Sequence, residues 1–111
     1  LKLPGGNEHR ATLADVLSHR LCLYRNAYDD KLEAGESPAS IRRNLASLAS
    51  LCAPGTCWSY QNIAFDAASE AVAVATNLPY EEAVARILFR PLGMSSATMS
   101  RAGLKRAQSW A

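Results

Sequence analysis

Covalent catalysis needs an activated serine, cysteine or lysine with a base at hand, so those residues come first. The three lysines are Lys2, Lys31 and Lys105, and the two that have a residue three positions earlier follow Tyr28 and Ala102; no Ser-x-x-Lys pair can share a helical face. There is no Gly-x-Ser-x-Gly turn, no phosphate-binding glycine loop and no His-Glu-x-x-His helix. Cys22, Cys52 and Cys57 lack zinc-ligand spacing, and His9 and His19 stand too far off in sequence to complete a familiar pattern. Cys52 and Cys57 bracket a Pro-Gly turn, which suits either a small disulfide or two buried free thiols; Cys22 is then left unpaired and buried. The most distinctive segment is Ala53-Pro54-Gly55-Thr56-Cys57-Trp58-Ser59-Tyr60-Gln61-Asn62, running directly into an alanine-rich stretch. By residue type alone, Tyr60 is a packing anchor with its hydroxyl at the surface and Asn62 a helix N-cap.

The elements around that segment are helical, and the expected fold class is mainly α. Residues 1–11 read as a polar leading loop with turn formers at Pro4-Gly5-Gly6-Asn7. Thr12 followed by Asp15 starts a helix over about Leu13 to Arg20, with Leu13, Val16 and Leu17 at helical spacing. A short helical turn precedes Gly35, and Ser37-Pro38 opens a helix ending near Leu51, with Ile41, Leu45, Leu48 and Ala49 on one face. Asn62 to Thr76 is apolar nearly all round, the pattern of a helix buried on several sides. Asn77 stops it, and Leu78-Pro79 begins another, with Tyr80, Val84, Ile87 and Leu88 on a shared face and Pro91 at its end. Residues 92–111 are expected to be loop with one strand or turn. No repeat or linker divides residues 1–111, so one helical domain is expected.

Bulk properties exclude several classes. The net charge is +2, from twelve basic and ten acidic side chains, and the basic residues form no stripe, which argues against a nucleic-acid partner. No apolar run reaches the roughly 18 residues of a membrane span, so a soluble chain is expected. The sequence starts Leu1-Lys2-Leu3-Pro4 without Met or an apolar leader, as expected of an internal piece of a longer protein.

Three separated segments together resemble the β-lactamase-related serine hydrolases, namely class C β-lactamases, penicillin-binding D,D-peptidases and related esterases. Tyr60-Gln61-Asn62 after Pro54-Gly55-Thr56 resembles their Tyr-x-Asn motif. Leu13 to Arg20 resembles the helix end carrying Ser-His upstream of it, and Phe89-Arg90-Pro91-Leu92-Gly93-Met94 resembles Phe-x-Pro-Leu-Gly-Met downstream. The resemblance covers roughly residues 1–100. Where such proteins often have Ser/Thr-Gly-Leu-Pro, this chain has Leu21-Cys22-Leu23-Tyr24 and lacks the glycine that reaches positive φ easily. Ser-x-x-Lys and Lys-Thr-Gly are absent, so one of three catalytic motifs is present.

The resemblance implies the helical subdomain of a longer hydrolase whose α/β portion is missing here. It implies that Tyr60 is catalytic, exchanging protons with a serine and a leaving group. A free tyrosine titrates near about 10, so that role needs cationic neighbours. Asn62 is implied to bind substrate through its amide and to help hold a lysine. His19 is expected to be structural and Trp58 to belong to the cleft wall or the core. The implied chemistry is acyl-enzyme formation on β-lactams, D-Ala peptides or small esters, with no metal and no cofactor. The partner is then a small-molecule or peptide substrate, and these residues alone are inactive. Many such proteins are exported, with which a Cys52–Cys57 bridge agrees. The competing expectation is a non-catalytic interaction or scaffold domain of the same ancestry, forming a homo-oligomer through the exposed subdomain surface.

Overall fold

The computed structural model describes residues 1–106. The chain divides into two compact units, the first Leu1–Ala68 and the second beginning at Ser69. Among the described residues there is no strand, in agreement with the expected mainly helical class.

The first unit opens with 3-10 turns over Pro4–His9 rather than a solvated loop. Gly5 and Gly6 take φ of 62° and 74°, which turns the chain back on itself and sends Leu3 and Pro4 inward. The Glu8 carboxylate accepts from the Leu3 amide at 3.1 Å and from Lys2 Nζ at 3.2 Å. Helix α1, Leu13–Leu17, starts with a capping box in which Thr12 and Asp15 satisfy each other's amides. It ends three residues before the expected Arg20, because His19 adopts left-handed backbone at φ 58°. The His19 amide then donates to the Val16 carbonyl and the Arg20 amide to that of Asp15, at 3.2 and 2.8 Å, closing the helix as a Schellman turn.

Helix α2, Asp29–Glu33, closes the same way at Gly35, φ 87°, as its sequence position suggests. Helix α3, Pro38–Arg43, is capped by Ser37 and runs on as a 3-10 turn over Asn44–Ser47, stopping short of the expected Leu51. Ile41 and Leu45 are fully buried, whereas Ala49 is exposed. Helix α4, Asn62–Phe65, is separated from α5, Ala67–Thr76, at Asp66, which is ion-paired with the buried guanidinium of Arg42. The core joins Leu3, Val16, Leu21, Leu23, Ile41, Leu45, Ile63 and Ala64. Elements α1 and α3 both pack on α4, and α2 packs on α3. That arrangement fixes the start of α4, where Tyr60 and Asn62 lie.

The Asn62–Thr76 stretch is not buried on all sides. Ile63, Ala64 and Ala67 are inside, but Phe65 is 41% and Val74 83% exposed. Alanine satisfies both a helix and a partly solvated face, so its abundance does not report burial.

In the second unit Asn77, at φ 52°, marks the end of α5, and Pro79 precedes α6, Tyr80–Val84. The helix widens into a π turn over Ala85–Phe89, and Gly93 at φ 65° closes the chain beyond it, with the Met94 amide donating to the Phe89 carbonyl at 2.9 Å. The extra residue of a π turn rotates everything after it. Of the expected face, Ile87 and Leu88, which lie within the turn, are exposed, whereas Ala83 is buried. Residues Arg101–Arg106 form helix α7 where loop or strand was expected. Residues 107–111 of that expectation lie outside the described residues.

Candidate functional site

The Tyr60 segment rests on the loop that follows α1. The Ser59 amide donates to the His19 carbonyl at 2.9 Å, the Asn26 amide to the Tyr60 carbonyl at 3.0 Å, and the Gln61 amide to His19 Nδ1 at 3.3 Å. Gln61 Nε2 reaches the Tyr24 carbonyl at 2.7 Å from a side chain that is itself buried. His19 thus holds the amides on both sides of Tyr60, once through its carbonyl and once through its ring. Acting as acceptor at Nδ1, that ring carries its proton on Nε2. It also stacks on Phe65 with centroids 5.0 Å apart, tilts against Tyr60 at 4.5 Å and meets Trp58 edge-on at 6.4 Å. The structural role expected of His19 is therefore specific: it positions the Tyr60 backbone and ring.

Tyr60 is partly exposed, at 39%, with its side chain leaning on the His19 ring. Trp58 is exposed beside it, so it does not belong to the core, one of the two places expected for it. Asn62 is not the N-cap that its residue type suggests; Gln61 occupies that position and Asn62 is the first helical residue. Its Nδ2 donates to Asp29 Oδ2 at 2.9 Å. One amide hydrogen and Oδ1 of Asn62 remain for other partners. Asp29 Oδ1 is buried without a hydrogen-bond partner, which leaves an acceptor beside Asn62.

Asp29 and Asn26 were not singled out from sequence. Both belong to the stretch 24–29, where Tyr24-Arg25-Asn26 repeats the Tyr-x-Asn spacing and meets the Tyr60 segment through the two hydrogen bonds above. That internal echo was the available signal. Four residues of this loop, His19, Cys22, Asn26 and Tyr28, have positive φ without being glycine. Cys22, at φ 60°, keeps left-handed backbone at the place where the resembled pattern has glycine.

Cys52 and Cys57 meet, as one of the two expected alternatives has them, but Cys22 departs from expectation. Cys22 is buried, but it is not apart from the other two: all three sulfurs converge. Cys52 lies within bonding reach of both Cys22 and Cys57. A disulfide sulfur makes one S–S bond, so only one bridge can exist at a time.

The β-lactamase family model matches residues 1–111, and the chain belongs to that family. No curated protein and no solved structure gives a significant match. Its ancestry is accordingly that of serine hydrolases. No helix among the described residues is long and apolar enough to cross a membrane.

Proposed function

We propose that residues 1–111 form one helical subdomain of a longer serine hydrolase, which acylates a serine outside this stretch and then hydrolyses the ester. Substrates are β-lactams, D-Ala-ended peptides or small esters. Tyr60 moves the proton between that serine and the leaving group. Asn62 directs its remaining amide hydrogen to a substrate carbonyl and its Oδ1 to a lysine ammonium. The observation carrying this reading is the seat of Tyr60: backbone fixed on both sides by His19, side chain partly open to solvent. An exported parent would meet oxidising conditions, in which Cys52 bridges one of its two neighbours.

The test extends the reading frame on both sides and treats the product with a fluorescent penicillin and a fluorophosphonate. A working enzyme is labelled on a serine of a flanking Ser-x-x-Lys. Tyr60→Phe then slows labelling by about 10² to 10⁴ without altering the far-ultraviolet circular dichroism. Residues 1–111 alone remain unlabelled. Flanks without those motifs, and no labelling, would refute the proposal.

A second reading, a non-catalytic interaction domain, draws on the second unit. There Ile87, Leu88, Leu92 and Met94 are exposed, at 62, 46, 65 and 44%. Apolar exposure of that kind favours self-association. Sedimentation as a monomer at high concentration would count against it.

A further inference from the structure

We infer that the reduced chain binds one thiophilic d10 cation, with Zn(II) as the representative, through the thiolates of Cys22, Cys52 and Cys57. The site is independent of the proposed hydrolase chemistry. Its first support is convergence: one ligand atom from each cysteine lies within 4.8 Å of the others, and the Cys22 and Cys57 sulfurs are 2.8 Å apart. The Cα atoms of Cys22 and Cys52 are 5.3 Å apart, and those of Cys52 and Cys57 6.5 Å. Pairwise bonding cannot satisfy three sulfurs, whereas one metal ion satisfies all of them together.

The surroundings suit a cation. Carbonyl oxygens of Ala53, Cys57 and Arg20 lie 3.0, 3.4 and 3.6 Å from Cys22 Sγ, turning their negative ends toward the cluster. Thiolates there would be repelled without a positive charge among them. Three thiolates and a divalent ion carry a net charge of −1. The Arg20 guanidinium, which donates to the Gly55 carbonyl in the turn between Cys52 and Cys57, supplies a compensating charge nearby. The backbone is held independently of the sulfurs, by the Leu51 amide on the Cys22 carbonyl at 2.9 Å and the Gly55 amide on that of Arg20 at 2.8 Å. Opening the sulfurs to the spacing a metal requires therefore falls to their side-chain torsions. Cys22 is fully buried while Cys52 and Cys57 are half-buried, which gives the ion a route in.

Soft sulfur donors select Zn(II) or Cu(I) over Mg(II) or Ca(II). Each thiol gives up its proton to solvent as it ligates, so binding releases up to three protons and involves no oxidation. The metal would fasten the loop after α1 to the segment leading into Tyr60.

The experiment uses the full chain, reduced and metal-free under inert gas, titrated with Co(II) and then Zn(II). The expected result is one equivalent bound, a thiolate-to-cobalt charge-transfer band that Zn(II) abolishes, and protection of three thiols from a disulfide reagent. Cys57→Ser and Cys22→Gly should each weaken Zn(II) binding by at least about tenfold. Glycine is chosen at position 22 because it accepts the φ of 60° found there and keeps the loop folded. Three freely reactive thiols in the presence of stoichiometric Zn(II), or unchanged affinity in Cys22→Gly, would overturn the inference.

Discussion

Replacing His19 by alanine isolates what its ring does, because the Ser59 amide bond to the residue 19 carbonyl survives the change. The Gln61 amide loses its acceptor at 3.3 Å, in a residue only 2% exposed. A buried donor left unsatisfied costs about 1–3 kcal/mol. The stacked and tilted contacts to Phe65 and Tyr60 add about 0.5–1.5 kcal/mol. Together His19→Ala is expected to destabilise the chain by about 1.5–4.5 kcal/mol. Two further variants separate the causes. His19→Asn retains an acceptor and tolerates left-handed backbone, so it should recover about half of the loss. His19→Gly loses the ring but relieves the positive φ, and should be more stable than alanine by about 1 kcal/mol. Urea unfolding reads all three as midpoint shifts at constant slope. An alanine variant within about 0.5 kcal/mol of the parent would refute the argument that His19 holds the Tyr60 segment.

Three other outcomes can be checked. Asn62→Asp sets a second carboxylate against Asp29 and should cost about 1–3 kcal/mol, and the double variant with Asp29→Asn, which restores a donor facing an acceptor, should recover most of it. The Glu8 carboxyl is held down to about 2, first by its own backbone amide, then by that of Leu3 and by Lys2, while Thr12 holds Asp15 below the usual carboxylate range. Lowered folded-state values mean stability is fully present above the unfolded values and is lost as pH falls through the folded ones; for Glu8 the window runs from 4.5 down to about 2. Glu8→Gln should flatten a pH series of unfolding midpoints across that window. Gly55→Ala forces a side chain onto a φ of 83° and brings its Cβ to 3.2 Å from Asp15 Oδ1, so it should lose at least about 1–2 kcal/mol by thermal unfolding.

Local chemistry was legible wherever a residue type has one dominant use. Thr12 with Asp15, Ser37 before Pro38, Gly35 and Asn77 all mark helix ends where their types predict. Tyr60, Gln61 and Asn62 were legible as the distinctive segment, and the family match covers them. Three things were not legible. His19 ends α1 in left-handed backbone although its residue type announces no stop; long-range bonds from Ser59 and Gln61 engage it there. The π turn after Val84 shifts a face that a 3.6-residue period would keep together. The cysteines converge across 30 residues of sequence, a distance over which spacing says nothing about geometry. Asn62 stands one residue inside the cap position that its type suggests, with its amide on Asp29.

The Tyr60 backbone is held by main-chain bonds and by its neighbours: Ser59 and Gln61 grip His19, and the Asn26 amide donates to the Tyr60 carbonyl. Among the described residues, none of these bonds uses the phenol. The side chain at position 60 can accordingly change identity while the loop beneath it stays intact. A lineage could lose this tyrosine and still inherit a folded domain ready for another use. What holds this part of the fold is carried by residues 19, 26, 59 and 61, through main-chain bonds and one imidazole nitrogen.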